Sequence, residues 1–341
     1  MSSIHVPGRQ VNRSEGMSMN DHPLLVVEDL QVYFYLRDGI VKAVDGASFT
    51  ITKGEIVGLA GESGCGKSVT TQAILRLVPL PGKIVGGQIL LDGRDMMSFS
   101  REELRQVRGN RISIVHQDAL AALNPVIPVG EQIADVFKDH KSIPVKRAWR
   151  TAVEMMRRVG IPMPEERSRQ FAHEFSGGMQ QRAVISAALI CEPDLIIADE
   201  PTTALDVTIQ MQILSLLKHA QEELGSAVLY ISHDLANVAR ICDRVMIMYA
   251  GEIVEQASTD SLYTNPLHPY TQGLLKSIPP MGGGEKFGEL PTIEGSPPKP
   301  TDYPPGCRFE PRCSFAMDQC RKERPSLVRL DSGRSVRCFL Y

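Results

Sequence analysis

The sequence predicts an α/β domain built on a parallel sheet with helices on both faces, followed by a small irregular extension. Three observations carry that expectation. Short apolar segments alternate with amphipathic helical ones over most of the chain, the pattern of a sheet covered on both sides. A glycine-rich loop, GESGCGKS, joins one of the apolar segments to a helix. Beyond Ser277 the chain turns rich in proline and glycine, and the last 35 residues hold four of its seven cysteines.

The elements follow in order. LLVVEDLQVYFY and VKAVDGASFTITKGEIVGLAG are rich in Val and Ile with turn residues between them, as strands are. A helix is expected from Lys67 through SVTTQAILRLV. GGQILLDGRD reads as a strand and turn, REELRQVR as a short helix, and RISIVHQD as a buried strand. From Val129 to about Leu189 the pattern is helical, and VKRAWRTAVEMMRRVG repeats apolar residues three and four apart. PDLIIADEP and SAVLYISHD are short buried strands flanking the amphipathic helix IQMQILSLLKHAQEELG. The segment SIPPMGGGEKFGELPTIEGSPPKPTDYPPG cannot form a regular element.

Composition narrows the class. A chain of 341 residues with 43% hydrophobic content can bury one large core and carry an appendage. A net charge of −3 gives no bulk attraction for a polyanion such as nucleic acid. No apolar run approaches the roughly eighteen residues of a membrane span. Residues 1–22 lack an apolar stretch, so they read as a disordered tail, not a secretory signal, with Met17 or Met19 as alternative starts. The expected compartment is the cytoplasm, where structural disulfides are disfavoured.

The chemistry starts at Gly61, Glu62, Ser63, Gly64, Cys65, Gly66, Lys67 and Ser68, which fit G-x-x-x-x-G-K-S in full. The loop follows the strand EIVGLA and opens a helix that continues at Val69, the context this phosphate-binding motif requires. Glycines let backbone N–H groups turn inward toward phosphate oxygens, and the helix N-terminus adds its dipole. Lys67 would reach the β- and γ-phosphates and Ser68 would ligate Mg²⁺. A chance lysine in a glycine-rich turn does not account for the strand before and the helix after. Asp199 and Glu200 end the apolar strand of DLIIADE, at the edge where open α/β sheets bind ligands. Asp199 would hold Mg²⁺ through water, and Glu200 would polarise the attacking water. FSGGMQQR places Ser176, Gly177, Gly178 and Met179 at a second helix start, another ready anion site, although an ordinary capped helix would look the same.

With these motifs in order, residues 23 to about 260 resemble the nucleotide-binding subunits of ABC transporters. The resemblance implies a P-loop ABC-type nucleotide-binding domain with a helical subdomain over about 125–185. It identifies Gly61–Ser68 as the Walker A loop and Ser176–Met179 as the signature that meets the ATP of a partner cassette, since two cassettes dimerise head to tail. It implies that Phe34 stacks on adenine, with Tyr33 and Tyr35 as rivals. It implies that Gln117 in VHQDALAALNP reaches Mg²⁺ and touches the membrane subunit. Asp199 matches the Walker B aspartate, Glu200 the catalytic carboxylate, Asp206 in TTALD the link between the two sites, and His233 in YISHD the contact to the γ-phosphate.

NPLHPYTQGLLKSIP and the cysteine-bearing tail narrow the resemblance to ATPase subunits of oligopeptide and dipeptide importers and their nickel-transporting relatives. They make residues 261–341 a branch-specific extension. HPYTQGLL also reads as a simple helix cap and packing element. His116 and DALAAL depart from the branch, which commonly has an aromatic and a proline there. The implied function is ATP hydrolysis that energises import of peptides or similar small solutes. The implied place is peripheral, at the cytoplasmic face of the inner membrane. The implied partners are membrane-spanning permease subunits, a second related but different ATPase, and indirectly an external solute-binding protein. A nickel importer is one alternative. A soluble ABC ATPase of translation or DNA repair is another, but the tandem cassette or long coiled-coil insert of those proteins is absent here. A non-hydrolysing cassette would be expected to have lost Glu200 or the signature, and both are intact.

Cys307, Cys313, Cys320 and Cys338 are separated by five, six and seventeen residues. This spacing selects neither zinc nor an iron–sulfur cluster. The branch resemblance favours a [4Fe–4S] cluster on these four thiols, with zinc as the alternative, fixing a tail too poor in apolar residues to order itself. Cys191 and Cys242 sit in apolar helical contexts and are expected in the core.

Overall fold

The computed structural model describes residues 22–203, 205–278, 292–330 and 333–341. Apart from His22, the expected N-terminal tail lies outside the described residues. Two sheets carry the fold. The smaller is antiparallel, in the order β2 (Gly39–Ile51), β1 (Leu25–Leu36), β4 (Gly82–Leu91) and β5 (Arg94–Asp95). The larger runs β11 (Val328–Arg329), β12 (Ser335–Val336), β10 (Glu252–Ser258), β9 (Arg244–Tyr249), β3 (Ile56–Ala60), β8 (Ala227–Ser232), β7 (Leu195–Asp199) and β6 (Ile112–Val115). Its stretch from β9 to β6 is parallel throughout.

The parallel strands were legible because both faces are covered. Val57 and Leu59 of β3 pack in one core, while Ile56 and Ala60 pack in the other. The same period of two divides Leu195 and Ile197 from Ile196 and Ala198 on β7. Between them, Gly58 keeps the backbone close to its neighbours, since a Cβ there would stand 2.8 Å from the Val238 side chain.

The antiparallel sheet goes beyond the expectation of a single parallel one. β1 and β2 alternate buried and exposed positions, as a sheet with one wet face does. Arg37 and Asp38 close a hairpin between them, with Leu36 opposite Gly39. α1 (Lys67–Ile74) packs beside this sheet and ends sooner than expected, because Arg76 adopts φ +51°. Arg108 caps its C-terminus by donating to the carbonyls of Leu75 and Arg76 at 2.8 and 2.9 Å. Arg108 follows α2 (Arg101–Val107), which carries a full capping box between Ser100 and Glu103.

A short α3 (Ala119–Ala122) precedes the stretch the periodicity predicts to be helical, and α4 (Val129–Lys141), α5 (Val145–Arg158), α6 (Pro164–Arg167) and α7 (Gly177–Leu189) fall in it. α5 buries Ala148, Ala152, Val153, Met155 and Met156 and turns its arginines outward. α8 (Val207–Leu224), α9 (Leu235–Ile241) and α10 (Thr259–Thr264) cover the same face of the large sheet. Cys191 and Cys242 are buried there, as expected.

The extension is less of an appendage than its composition implies. Residues 292–306 hold no helix or strand, as the proline and glycine content requires. But β12 pairs with β10 and so adds itself to the main sheet. Glu255 on β10 is fully buried, accepts from Arg334 at 2.9 Å, and accepts from the N–H groups of Leu267 and His268 at 2.9 Å. That carboxylate thereby anchors the start of α11 (Pro269–Lys276), whose N-cap is His268. His268 is buried, and its Nδ1 accepts from Tyr270 N–H at 3.0 Å. Burial pushes its pKa down to about 3, opposed by a backbone hydrogen bond at Arg337.

The folded state therefore keeps His268 neutral while the unfolded chain takes up a proton below about pH 6.5. Stability from this residue is present above that pH and is lost as pH falls toward 3. Lowering the pH from 7.5 to 5.5 should cost about 1.4 kcal/mol that His268→Asn does not lose, since Asn keeps an acceptor at the N-cap. Denaturant midpoints of both proteins at the two pH values check this.

Candidate nucleotide site

The loop after β3 is shaped by where a Cβ cannot go. Gly61 has φ +155°, and a Cβ there would stand 2.1 Å from the Met248 carbonyl oxygen. Gly66 has φ +112°, and its Cβ would stand 2.4 Å from the Ala43 carbonyl oxygen. The helix it opens has no side-chain cap, so the first N–H groups of α1 stay available to an anion. The Cys65 thiol is buried, and burial raises its pKa; the loop presents its backbone instead. Lys67 is buried and donates to the carbonyls of Gly61 at 2.8 Å and Glu62 at 3.0 Å. Cys65 Sγ also accepts from it at 3.8 Å, so the ammonium is held against the loop itself. Lys67→Ala should weaken ATP binding by about 1.5–3 kcal/mol, a charged hydrogen bond's worth, read by titration calorimetry.

Four adjacent strands, β3, β8, β7 and β6, deliver the other side chains to the same edge. Asp199 ends β7, and Ser68 Oγ donates to its Oδ1 at 3.3 Å. Burial raises the Asp199 carboxyl above its ordinary range, the Ser68 hydrogen bond opposes that, and the neighbouring Glu200 charge adds to it. Paired hard oxygen donors at a desolvated carboxylate suit Mg²⁺. Glu200 follows with φ +47°, a conformation that costs a non-glycine residue about 1 kcal/mol. It is held there by its own N–H, which donates to the Ile231 carbonyl at 3.0 Å. Its Oε2 accepts from Thr203 Oγ1 at 3.1 Å and lies 3.1 Å from His233 Nδ1. His233 sits between Ser232, which accepts from Asp234 N–H, and Asp234, which caps α9, so the imidazole is carried on a fixed turn. Gln117 follows β6 and is exposed, and the preceding carbonyl, that of His116, accepts from Gln181 at 3.5 Å.

The structure does not bring the second anion site to the first. Ser176 caps α7 by accepting from Met179 N–H at 3.4 Å, and Ser176 and Gly177 are exposed. The nearest side chains to Gly177 and Gly178 are Leu205 and Ile209, with a Cβ on Gly178 only 3.1 Å from Ile209. Asp206 caps α8 by accepting from Ile209 N–H at 2.9 Å. The start of α7 therefore packs against Leu205 and Ile209, in the segment that follows Glu200 and Thr203.

Of the three aromatics on β1, Phe34 packs inward, so that a Cβ on Gly82 would stand 2.6 Å from its ring. Tyr33 donates to Asp45 at 2.6 Å. Tyr35 is the exposed ring, with the Lys83 ammonium 5.7 Å from its centroid.

The metal centre expected at Cys307, Cys313, Cys320 and Cys338 is not borne out. Among the described residues, no three or more His, Cys, Asp or Glu side chains stand together as a group able to hold a metal ion. This removes the [4Fe–4S] cluster and its zinc alternative. The four thiols are free and line one small cavity with Phe309, Phe315 and other apolar residues. Burial raises the pKa of Cys307, Cys313 and Cys338. The premise behind the metal also fails. The extension is fixed by buried ion pairs, Arg308 with Asp45, Arg312 with Glu62 and Arg334 with Glu255.

Comparison with known proteins matches this geometry. The family model described as ABC transporter covers residues 44–203, and that described as oligopeptide/dipeptide transporter, C-terminal region, covers 254–320. The oligopeptide transport ATP-binding protein AppD of Bacillus subtilis is 48% identical over 319 residues, spanning 93% of this chain and 97% of its own. The chain belongs to the ABC transporter ATP-binding proteins. A probable peptide ABC transporter ATP-binding protein of Sinorhizobium fredii, y4tR, is 45% identical over 95% of this cassette protein and 98% of its own length. The dimeric post-hydrolysis structure of the ATP-binding cassette MJ0796, bound to ADP and Pi, superposes with TM-score 0.63 at 25% identity. It covers 69% of this chain and 98% of that one. The protein is thus an ATP-hydrolysing transporter subunit. Among the described residues, no helix is long and apolar enough to cross a membrane.

Proposed function

We propose that this chain is the motor of a peptide importer, in which Glu200 activates water for attack on the γ-phosphate of ATP. The contact that carries the proposal is Glu200 Oε2 to His233 Nδ1 at 3.1 Å, beside a phosphate loop and the Ser68–Asp199 pair. Lys67 and the first N–H groups of α1 bind the phosphates. Ser68, Asp199 and the amide of Gln117 would hold Mg²⁺, which when bound would supply neutralisation of phosphate charge. Glu200 takes the proton of the attacking water, and His233 fixes the carboxylate and reaches the γ-phosphate with its other nitrogen. The work is positioning and charge stabilisation, not covalent chemistry. A neighbouring cassette supplies its Ser176–Met179 equivalent, and Asp206 lies between the two sites. Tyr35, as the exposed ring, is the better candidate for stacking on adenine than Phe34.

Residues 23–260 act as the cassette, with the helical subdomain over about 125–185 and the extension from 261. Peptides as the cargo rest on the oligopeptide and peptide transporters among the relatives. The partners are membrane-spanning permease subunits, contacted around Gln117, and a second, related ATPase, with the complex at the cytoplasmic face. Affinity purification of the tagged chain from membranes, followed by mass spectrometry, tests this. Permease subunits and a second cassette should co-purify. A chain that purifies from the membrane fraction alone, or with ribosomes, would contradict it.

A further inference from the structure

Glu62, the second residue of the phosphate loop, is held from two sides. Its carbonyl accepts from Lys67 Nζ at 3.0 Å. Everything else it offers is taken by the extension. Its N–H donates to the Tyr270 hydroxyl on α11 at 2.9 Å. Its carboxylate receives Arg312 in a two-pronged pair, Nη1 to Oε2 at 2.8 Å and Nη2 to Oε1 at 3.1 Å. Both partners are rigid. Tyr270 is fully buried and packs on Tyr249 with ring centroids 4.5 Å apart. The Arg312 side chain is 4% exposed. Its Nε donates to the Glu294 carbonyl at 3.0 Å, and the remaining protons reach Tyr249 Oη and the Ile293 carbonyl at 3.4 Å each. An arginine with all its donors in use cannot swing away without leaving several of them unpaired.

We propose that Tyr270 and Arg312 are positioning residues for ATP binding: they seat Glu62 so that the Gly61 and Glu62 carbonyls orient the Lys67 ammonium toward phosphate. The extension thereby sets the nucleotide affinity of the cassette, from 208 residues away for Tyr270 and 250 for Arg312. The inference rests on the reading of Gly61–Ser68 as the phosphate loop.

The test uses the purified full-length chain, titrated with Mg-ATP, and the assembled complex for turnover. Tyr270→Phe removes only the hydroxyl and keeps the ring packing. It should weaken ATP binding about 3- to 10-fold, the range of a single hydrogen bond. Arg312→Met should do at least as much, and Arg312→Lys should recover part of the loss. In the complex, KM for ATP should rise with kcat within about twofold, the signature of lost binding without lost transition-state stabilisation. Arg312→Met should have a smaller effect in a Glu62→Gln background, because the pair it breaks is already weakened. A purely structural role would lower the melting temperature and leave affinity and the double-mutant coupling untouched. Should Arg312→Met fail to fold, Tyr270→Phe and Arg312→Lys decide. Wild-type affinity in both, with Lys67→Ala weakened, overturns the inference alone. Wild-type affinity in Lys67→Ala as well overturns the loop assignment and the inference with it.

Discussion

Glu200→Gln is expected to bind ATP as the wild type does and to hydrolyse it about 10² to 10⁴ times more slowly, the range for a lost positioned base. The substitution is isosteric. It leaves the backbone at φ +47°, the N–H bond to Ile231 and the acceptor for Thr203 in place. What it removes is the negative charge facing His233 and the proton acceptor for water. Ground-state affinity depends instead on Lys67, the loop and the Mg²⁺ ligands, none of which touches this carboxylate in the hydrogen-bond network. Removing a negative charge from beside Asp199 also lifts one of the influences that raise the Asp199 pKa, so binding should not suffer. Steady-state turnover of the assembled complex, paired with a binding isotherm, reads both quantities. Turnover within a few-fold of wild type would take the catalytic role away from Glu200.

Ser176→Arg should separate the two halves of the site. Ser176 is exposed and touches no part of its own phosphate loop in the hydrogen-bond network, so this chain should load ATP normally. The cost to the fold is one helix cap, about 1 kcal/mol. At the partner's site the arginine replaces a hydroxyl and crowds the open N–H groups of α7. Turnover there should fall by about 10² to 10³, as for loss of a donor to transition-state charge. In a mixed dimer with one altered chain, the rate should fall at the site facing Ser176→Arg and persist at the other. Equal, undiminished rates at both sites would mean that α7 completes no nucleotide site.

Much of this arrangement was legible in the residues because its physics is local. A strand buried on both faces reads as an apolar run, and Gly61, Gly66 and Lys67 signal their loop by spacing alone. Asp199 ends β7 and Glu200 follows it, while His233 follows β8 and was singled out only by the family resemblance. The antiparallel sheet was not separated from the parallel one, although β1 and β2 mix charged and polar residues such as Glu28, Asp29, Lys42 and Asp45 with apolar ones and β3 is apolar throughout. Phe34 was preferred over Tyr35, yet which ring faces out depends on packing against Gly82 and Val78, contacts 44 or more residues away. The tail was misjudged for a related reason. CRFEPRC carries two arginines between its thiols, Arg308 and Arg312, which reach Asp45 and Glu62 across more than 200 residues. An ion pair between such distant positions leaves no period or motif. HPYTQGLL was read as a cap and packing element, and it is one, but Tyr270 within it also reaches the phosphate loop.

We propose that ATP turnover at Glu200 drives solute inward through partner subunits. The most direct measurement is ATP-dependent uptake of a labelled oligopeptide by proteoliposomes that hold the purified complex, with the binding protein on the outside and ATP trapped within. Accumulation should require ATP and disappear with Glu200→Gln in this chain while the subunits remain assembled. Undiminished accumulation by the Glu200→Gln complex would contradict it.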